Sequence, residues 1–141
     1  SYEKGIDILK DIEPKINGNV VYCTDLEWKE AMSELKASSV LVVPSRIESI
    51  PQVIKEAFFL NVPVVATKVG GIPELIEHEK NGLLVDPNDP DQLLNSVNEL
   101  LENNDKATSM AHAGHDFVVK NLTWEILLPK YIKFYENLLN S

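Results

Sequence analysis

Two glutamates, Glu48 and Glu56, stand eight positions apart around a stretch whose chemistry suits a charged ligand. Carboxylates accept hydrogen bonds from hydroxyl groups, and those of a sugar or a ribose are natural donors to them. Between the two, Val53, Ala57 and Leu60, with Ile54 and Phe58 beside them, recur at helical spacing. The spacing predicts a helix that begins near Ser49–Gln52. Free N–H groups and the positive end of the helix dipole there favour an anion, offered by the backbone from Ser49 through Ile50 and Gln52 to Val53. Pro51 has no N–H, so it drops out of that set. The matching ligand has an anionic middle and hydroxyl-rich ends. Two glutamates alone are equally a solvated turn residue and a surface helix residue.

The elements that must position this stretch are readable on both sides. Val40 to Val43 is a short apolar run rich in β-branched residues and closed by Pro44, the pattern of a parallel strand covered on both faces. Val62 to Ala66 repeats it: Pro63 stands near its start, where a missing N–H is tolerated, and Gly70-Gly71 follow. Strand, helix and strand make a βαβ unit, and an open sheet of this kind binds its ligand outside the carboxyl ends of the strands. Pro73 then suits the first turn of a further helix. Asn81-Gly82 turns the chain into a last strand, Leu83 to Val85, closed by Asp86-Pro87. Asp89 or Pro90-Asp91 caps a long amphipathic helix carrying Leu93, Leu94, Val97, Leu100 and Leu101. The expected class is α/β: a Rossmann-like, open, mostly parallel sheet with helices on both faces.

In order, PSRIESIPQVIKEA, NVPVVAT, GGIPELI, NGLLV and DP resemble the nucleotide-sugar-binding domain of the retaining GT-B glycosyltransferases of family 4. The resemblance covers about Lys4 to Leu138 and is strongest from Val40 to Pro87. It implies the C-terminal half of a GT-B enzyme, which transfers a hexose from a nucleotide diphosphate sugar to an acceptor hydroxyl with retention. By the same resemblance, Glu48 holds hydroxyls of the donor sugar at the catalytic centre and Glu56 the ribose hydroxyls. Lys4, in the segment EKGID, becomes a candidate for the donor's diphosphate, and Gly70 and Gly71 become candidates for close backbone approach to the donor. Implied with them are a nucleotide-sugar partner, no cofactor, no metal, and an N-terminal acceptor-binding domain without which the chain transfers nothing. The glycine-arginine pair that precedes this segment in the family is absent, as is the strand before it. The expectation is a single domain over residues 1–141, cut from a longer enzyme.

Composition sets the limits. The 141 residues suffice for one domain with a real core. A net charge of −9 argues against nucleic acid or an anionic membrane surface as the principal partner. No apolar run approaches a membrane span, and the expected location is cytoplasmic; peripheral attachment to the inner face of a membrane stays open through the other domain. Cys23, the single cysteine, sits in an apolar run and reads as a buried thiol. That run, Asn19 to Thr24, reads as the first strand, and Glu27 to Ser38 as a helix with Trp28, Ala31, Met32 and Leu35 facing inward. Ahead of it, Ile6 to Ile16 reads as an amphipathic helix interrupted at Pro14. At the other end, His112 and His115 read as solvated. Thr123 opens a last helix kinked at Pro129; the resemblance implies that this helix runs back to the partner domain, so its aromatics Trp124, Tyr131, Phe134 and Tyr135 are expected to be partly exposed.

Two other classes compete. An epimerase would lack the proline-serine turn with paired glutamates, and a phosphorylase on the same fold needs a lysine placed for pyridoxal phosphate. A non-catalytic α/β module would be indifferent to loss of Glu48 and Glu56.

Overall fold

The computed structural model describes residues 2–139. Three short strands, β1 (Leu41–Val43), β2 (Val64–Thr67) and β3 (Leu83–Val85), form one parallel sheet in the order β1-β2-β3. Leu41 is opposite Val64, and Val65 is opposite Leu83. With a two-residue side-chain period, this register sorts the apolar residues onto two faces. Val43, Val64 and Ala66 face one core, while Val65, Leu83 and Val85 face the other.

Helices cover both faces. The chain enters through a 3-10 turn, Tyr2–Lys4, into α1 (Ile6–Ile12), which a second 3-10 turn containing Pro14 ends. Then come α2 (Trp28–Ala37), α3 (Gln52–Phe59), the short α4 (Ile72–Leu75), α5 (Pro90–Glu102), α6 (Asn104–Asn121) and α7 (Trp124–Leu139). Helix α3 buries Ile54, Ala57 and Phe58 in the first core, with Leu35 of α2, Ile72 and Leu75 of α4 and Val118 of α6. Helices α1 and α5 close the second core with Ile8, Leu9, Ile12, Leu93, Val97 and Leu100. Asp89 caps α5 as expected, its carboxylate accepting from the Gln92 N–H at 2.9 Å. The turn before β3 is fixed by buried Asn81, which accepts from the Glu77 N–H at 2.8 Å and donates to the Leu75 carbonyl at 3.0 Å.

Three expectations are corrected. Asn19 to Thr24 forms no strand. Its side chains serve instead as cover: Val20 and Tyr22 lie against the second core, and the Tyr22 hydroxyl donates to Glu13 at 2.8 Å. Burial and that acceptor push the tyrosine up to about 12. Cys23 is therefore exposed rather than buried, because the segment that carries it has not entered the sheet. Of the inward stripe on α2, Leu35 is buried and Ala31 and Met32 are half-buried, but Trp28 is 65% exposed. The reason lies in the site.

Candidate functional site

The βαβ unit places its polar residues at the carboxyl end of the sheet. After β1, the chain runs through buried Pro44 and Ser45 into a loop, and α3 begins at Gln52, the last position of the expected range. Pro51, in extended conformation, is its N-cap and offers no side-chain cap. The N–H groups of Gln52 and Val53 thus open the first turn without intrahelical acceptors, as the geometry of a helix start requires. The Ser49 N–H is engaged already: it donates to the Glu48 carboxylate at 3.1 Å. Glu48 turns its other oxygen to the Lys4 ammonium at 2.7 Å. Lys4 is therefore paired across 44 residues of sequence.

Lys4, Glu48, Val53 and Glu56 line one cleft of about 1050 Å³. Trp28 and Met32 of α2, the segment 16–24 and the outer edge of β1 line it further along. The exposed Trp28 indole donates toward the Glu56 carboxylate at 3.4 Å, so it rims the cleft and does not fill the core. Gln52 is exposed outside this lining.

Gly70 and Gly71 close the loop from behind. Gly70 has φ +53°, and a Cβ there would stand 1.7 Å from the Glu48 carbonyl oxygen. The Gly71 N–H donates to the Ser49 carbonyl at 2.7 Å. Only glycines let this turn press directly on the backbone that carries Glu48 and Ser49. Thr67, at the end of β2, adds its buried hydroxyl, which donates to the Ser45 carbonyl at 2.5 Å.

Sequence reasoning missed a second set of contacts beside the cleft. The Arg46 guanidinium takes both Asp7 oxygens at 2.7 Å each, the Tyr2 carbonyl at 2.6 Å and the Asn88 side-chain oxygen at 2.6 Å. It also lies 4.1 Å from the centre of the Tyr2 ring. The hydrogen bonds from Arg46 hold the Asp7 carboxyl at about 2, well below the usual range. No local pattern marks this set, since its members lie 39 to 44 positions apart in sequence. His115 meets the Phe59 carbonyl at 3.0 Å, and among the described residues no cluster of side chains has the makings of a metal site.

The arrangement can bind an anion flanked by hydroxyls. It offers one ammonium and two carboxylates that line one cleft, which the start of α3 enters at Val53. The family described as "Glycosyl transferases group 1" matches residues 9–117. A GDP-mannose-dependent α-(1-6)-phosphatidylinositol monomannoside mannosyltransferase of Mycobacterium tuberculosis is 38% identical over 88 residues, 62% of this chain and 23% of that protein. An uncharacterized glycosyltransferase of Methanocaldococcus jannaschii is 36% identical over 111 residues, 79% of this chain and 31% of that protein. Among solved structures, sucrose-phosphate synthase from Thermosynechococcus elongatus superposes with a TM-score of 0.79 at 27% identity, over 96% of this chain and 34% of that one. The chain thus spans about a third or less of the length of these relatives.

Proposed function

Because the chain belongs to the group 1 glycosyl transferases, we propose that it is the donor-binding domain of a retaining, GT-B-type hexosyltransferase. The donor is a nucleoside diphosphate sugar and the acceptor a hydroxyl held by a second, N-terminal domain. The observation that carries the reading is the convergence of Lys4, Glu48, Val53 and Glu56 on one cleft, with Lys4 and Glu48 in contact. Glu56 accepts from the ribose hydroxyls, with the Trp28 indole beside it at the rim of the cleft. Glu48 accepts from hydroxyls of the sugar. The Lys4 ammonium and the N–H groups of Ile50, Gln52 and Val53 meet the diphosphate.

When the bond between the anomeric carbon and the phosphate oxygen breaks, that oxygen leaves with the electron pair, the acceptor hydroxyl oxygen bonds to the anomeric carbon, and its proton passes to the departing diphosphate. The charge that develops there is met by Lys4 and the helix N–H groups, which are aligned before the reaction starts. The reading assigns no metal or other cofactor. A cytoplasmic location agrees with a donor made from nucleotides, and no helix among the described residues is long and apolar enough to cross a membrane. The Mycobacterium tuberculosis relative is named for a phosphatidylinositol mannoside acceptor. That name supports attachment to a membrane surface through the acceptor-binding domain.

Calorimetric titration of the chain and of the full-length protein with UDP, GDP, ADP and their glucose and mannose conjugates tests the reading. One nucleotide should bind, Glu56→Ala should abolish binding, and Glu48→Ala should weaken the sugar conjugates alone. Tight binding that ignores both substitutions would overturn the assignment and favour a non-catalytic module.

A further inference from the structure

We infer that Arg46 is the positioning residue of the diphosphate site, fixing where the Lys4 ammonium stands against the loop that carries Glu48. The inference rests on the donor-site reading above.

Among the described residues, the side chain of Lys4 makes one polar contact, its ion pair with Glu48. In the proposed reaction Glu48 turns to the sugar hydroxyls, so that contact cannot be what holds Lys4 on the phosphates. Arg46 can. Its side chain is 12% exposed, and its planar fork ties residues on both sides of Lys4: Tyr2 through the carbonyl and the ring, and Asp7 through both carboxylate oxygens. Its own N–H donates to the Glu3 carbonyl at 2.8 Å. A fourth partner, Asn88, anchors the fork to the loop after β3 from a left-handed conformation, φ +62°. Gly5, at φ +66°, adds the steric half of the clamp: a Cβ there would stand 1.9 Å from the Pro44 carbonyl oxygen. The segment bearing Lys4 is thus pressed against the end of β1 and pinned two residues before Glu48.

Bidentate pairing, a third acceptor, a fourth and the approach to the Tyr2 ring together need a guanidinium. A lysine supplies charge without the fork. Arg46 needs no contact with the donor in this role; it acts through Lys4.

The test uses the full-length protein, with whichever of UDP, GDP and ADP binds most tightly as the probe. Arg46→Gln and Asp7→Asn should each weaken the probe about tenfold by displacing Lys4, and Arg46→Lys should not restore it. In a Lys4→Ala background, Arg46→Gln should weaken the probe no further, because the group it positions is gone. A general structural role would give multiplied losses in that background, and that result would overturn the inference, as would unchanged affinity in Arg46→Gln. Should Arg46→Gln fail to fold, Asp7→Asn carries the same test, since it alters one half-exposed carboxylate. If the wild-type protein binds none of the three nucleotides, or if Lys4→Ala and Glu56→Ala leave binding intact, the donor-site reading falls and takes this role with it. If those two substitutions weaken binding and Arg46→Gln does not, the role of Arg46 alone falls.

Discussion

Glu48 accepts from two donors at once, the Lys4 ammonium at 2.7 Å and the Ser49 N–H at 3.1 Å. In the proposed site these are the groups a phosphate oxygen would seek, so the carboxylate competes with the diphosphate for them. The Lys4 side chain is 54% exposed, which limits the pair to about 0–1 kcal/mol. Glu48→Gln removes the competing charge and leaves the side-chain length alone. The bare nucleoside diphosphate should then bind about twofold to fivefold more tightly, while the sugar conjugate gains less or weakens. Calorimetry on the two ligand sets reads this directly. Equal weakening of both would show that Glu48 supports the phosphate site and does not compete for it. At this scale, motif order alone singled out Glu48, Glu56 and Lys4, which the fold brings to one cleft. Arg46, Asp7 and Asn88 were not legible, because a clamp built from a helix start and two distant loops leaves no spacing to read.

The packing of α3 on α6 turns on one glycine. Gly114 faces the ring of Phe58, and a Cβ there would stand 2.4 Å from its Cδ1 and 2.9 Å from its Cγ. Phe58 is wholly buried and meets Phe117 edge-on at 6.4 Å, so the ring has little freedom to yield. Gly114→Ala improves helix propensity by about 1 kcal/mol, whereas overpacking of this kind costs about 1–3 kcal/mol. Overpacking should win, lowering the urea midpoint by a net loss of about 1 kcal/mol. Phe58→Leu in the same chain should recover part of it. A raised midpoint in Gly114→Ala alone would mean that the two helices separate freely. In the sequence, Gly114 reads only as a weak point in a helix, since its partner ring lies 56 residues earlier. The strands β1, β2 and β3 and helices α3 and α5 were readable, because apolar runs, prolines and caps are local signals. Asn19 to Thr24 carries the same signal and fails as a strand. Strand formation needs pairing with a sheet edge, and this segment makes none; its Tyr22 instead bonds Glu13 in the turn that ends α1 and lies with Val20 against the second core.

The whole molecule divides into a packed sandwich and one helix laid against its outside. The two cores run through the sheet, α1 to α6 and the turns between them. Helix α7 touches α6 yet buries none of its residues, and Trp124, Tyr131, Phe134 and Tyr135 are each at least half exposed, as the family resemblance implied. Sequence gives the amphipathic pattern of α7, but which surface a helix covers is decided by its partner. In the proposed enzyme that partner is the N-terminal domain. For the chain itself, the consequence is energetic: α7 removes little apolar surface from water, and Pro129 inside it forfeits a backbone hydrogen bond. A helix of its length is marginal without tertiary support. Ending the chain at Thr123 should therefore change the unfolding free energy by no more than about 1 kcal/mol, with the slope of the urea transition nearly unchanged. The amides of α7 should exchange with solvent far faster than those of β2, where all four residues are buried. A loss of several kcal/mol on truncation, or protection of α7 equal to that of β2, would place this helix inside the cooperative unit. Its aromatic face would then be part of the core, with no apolar face left over for a second domain.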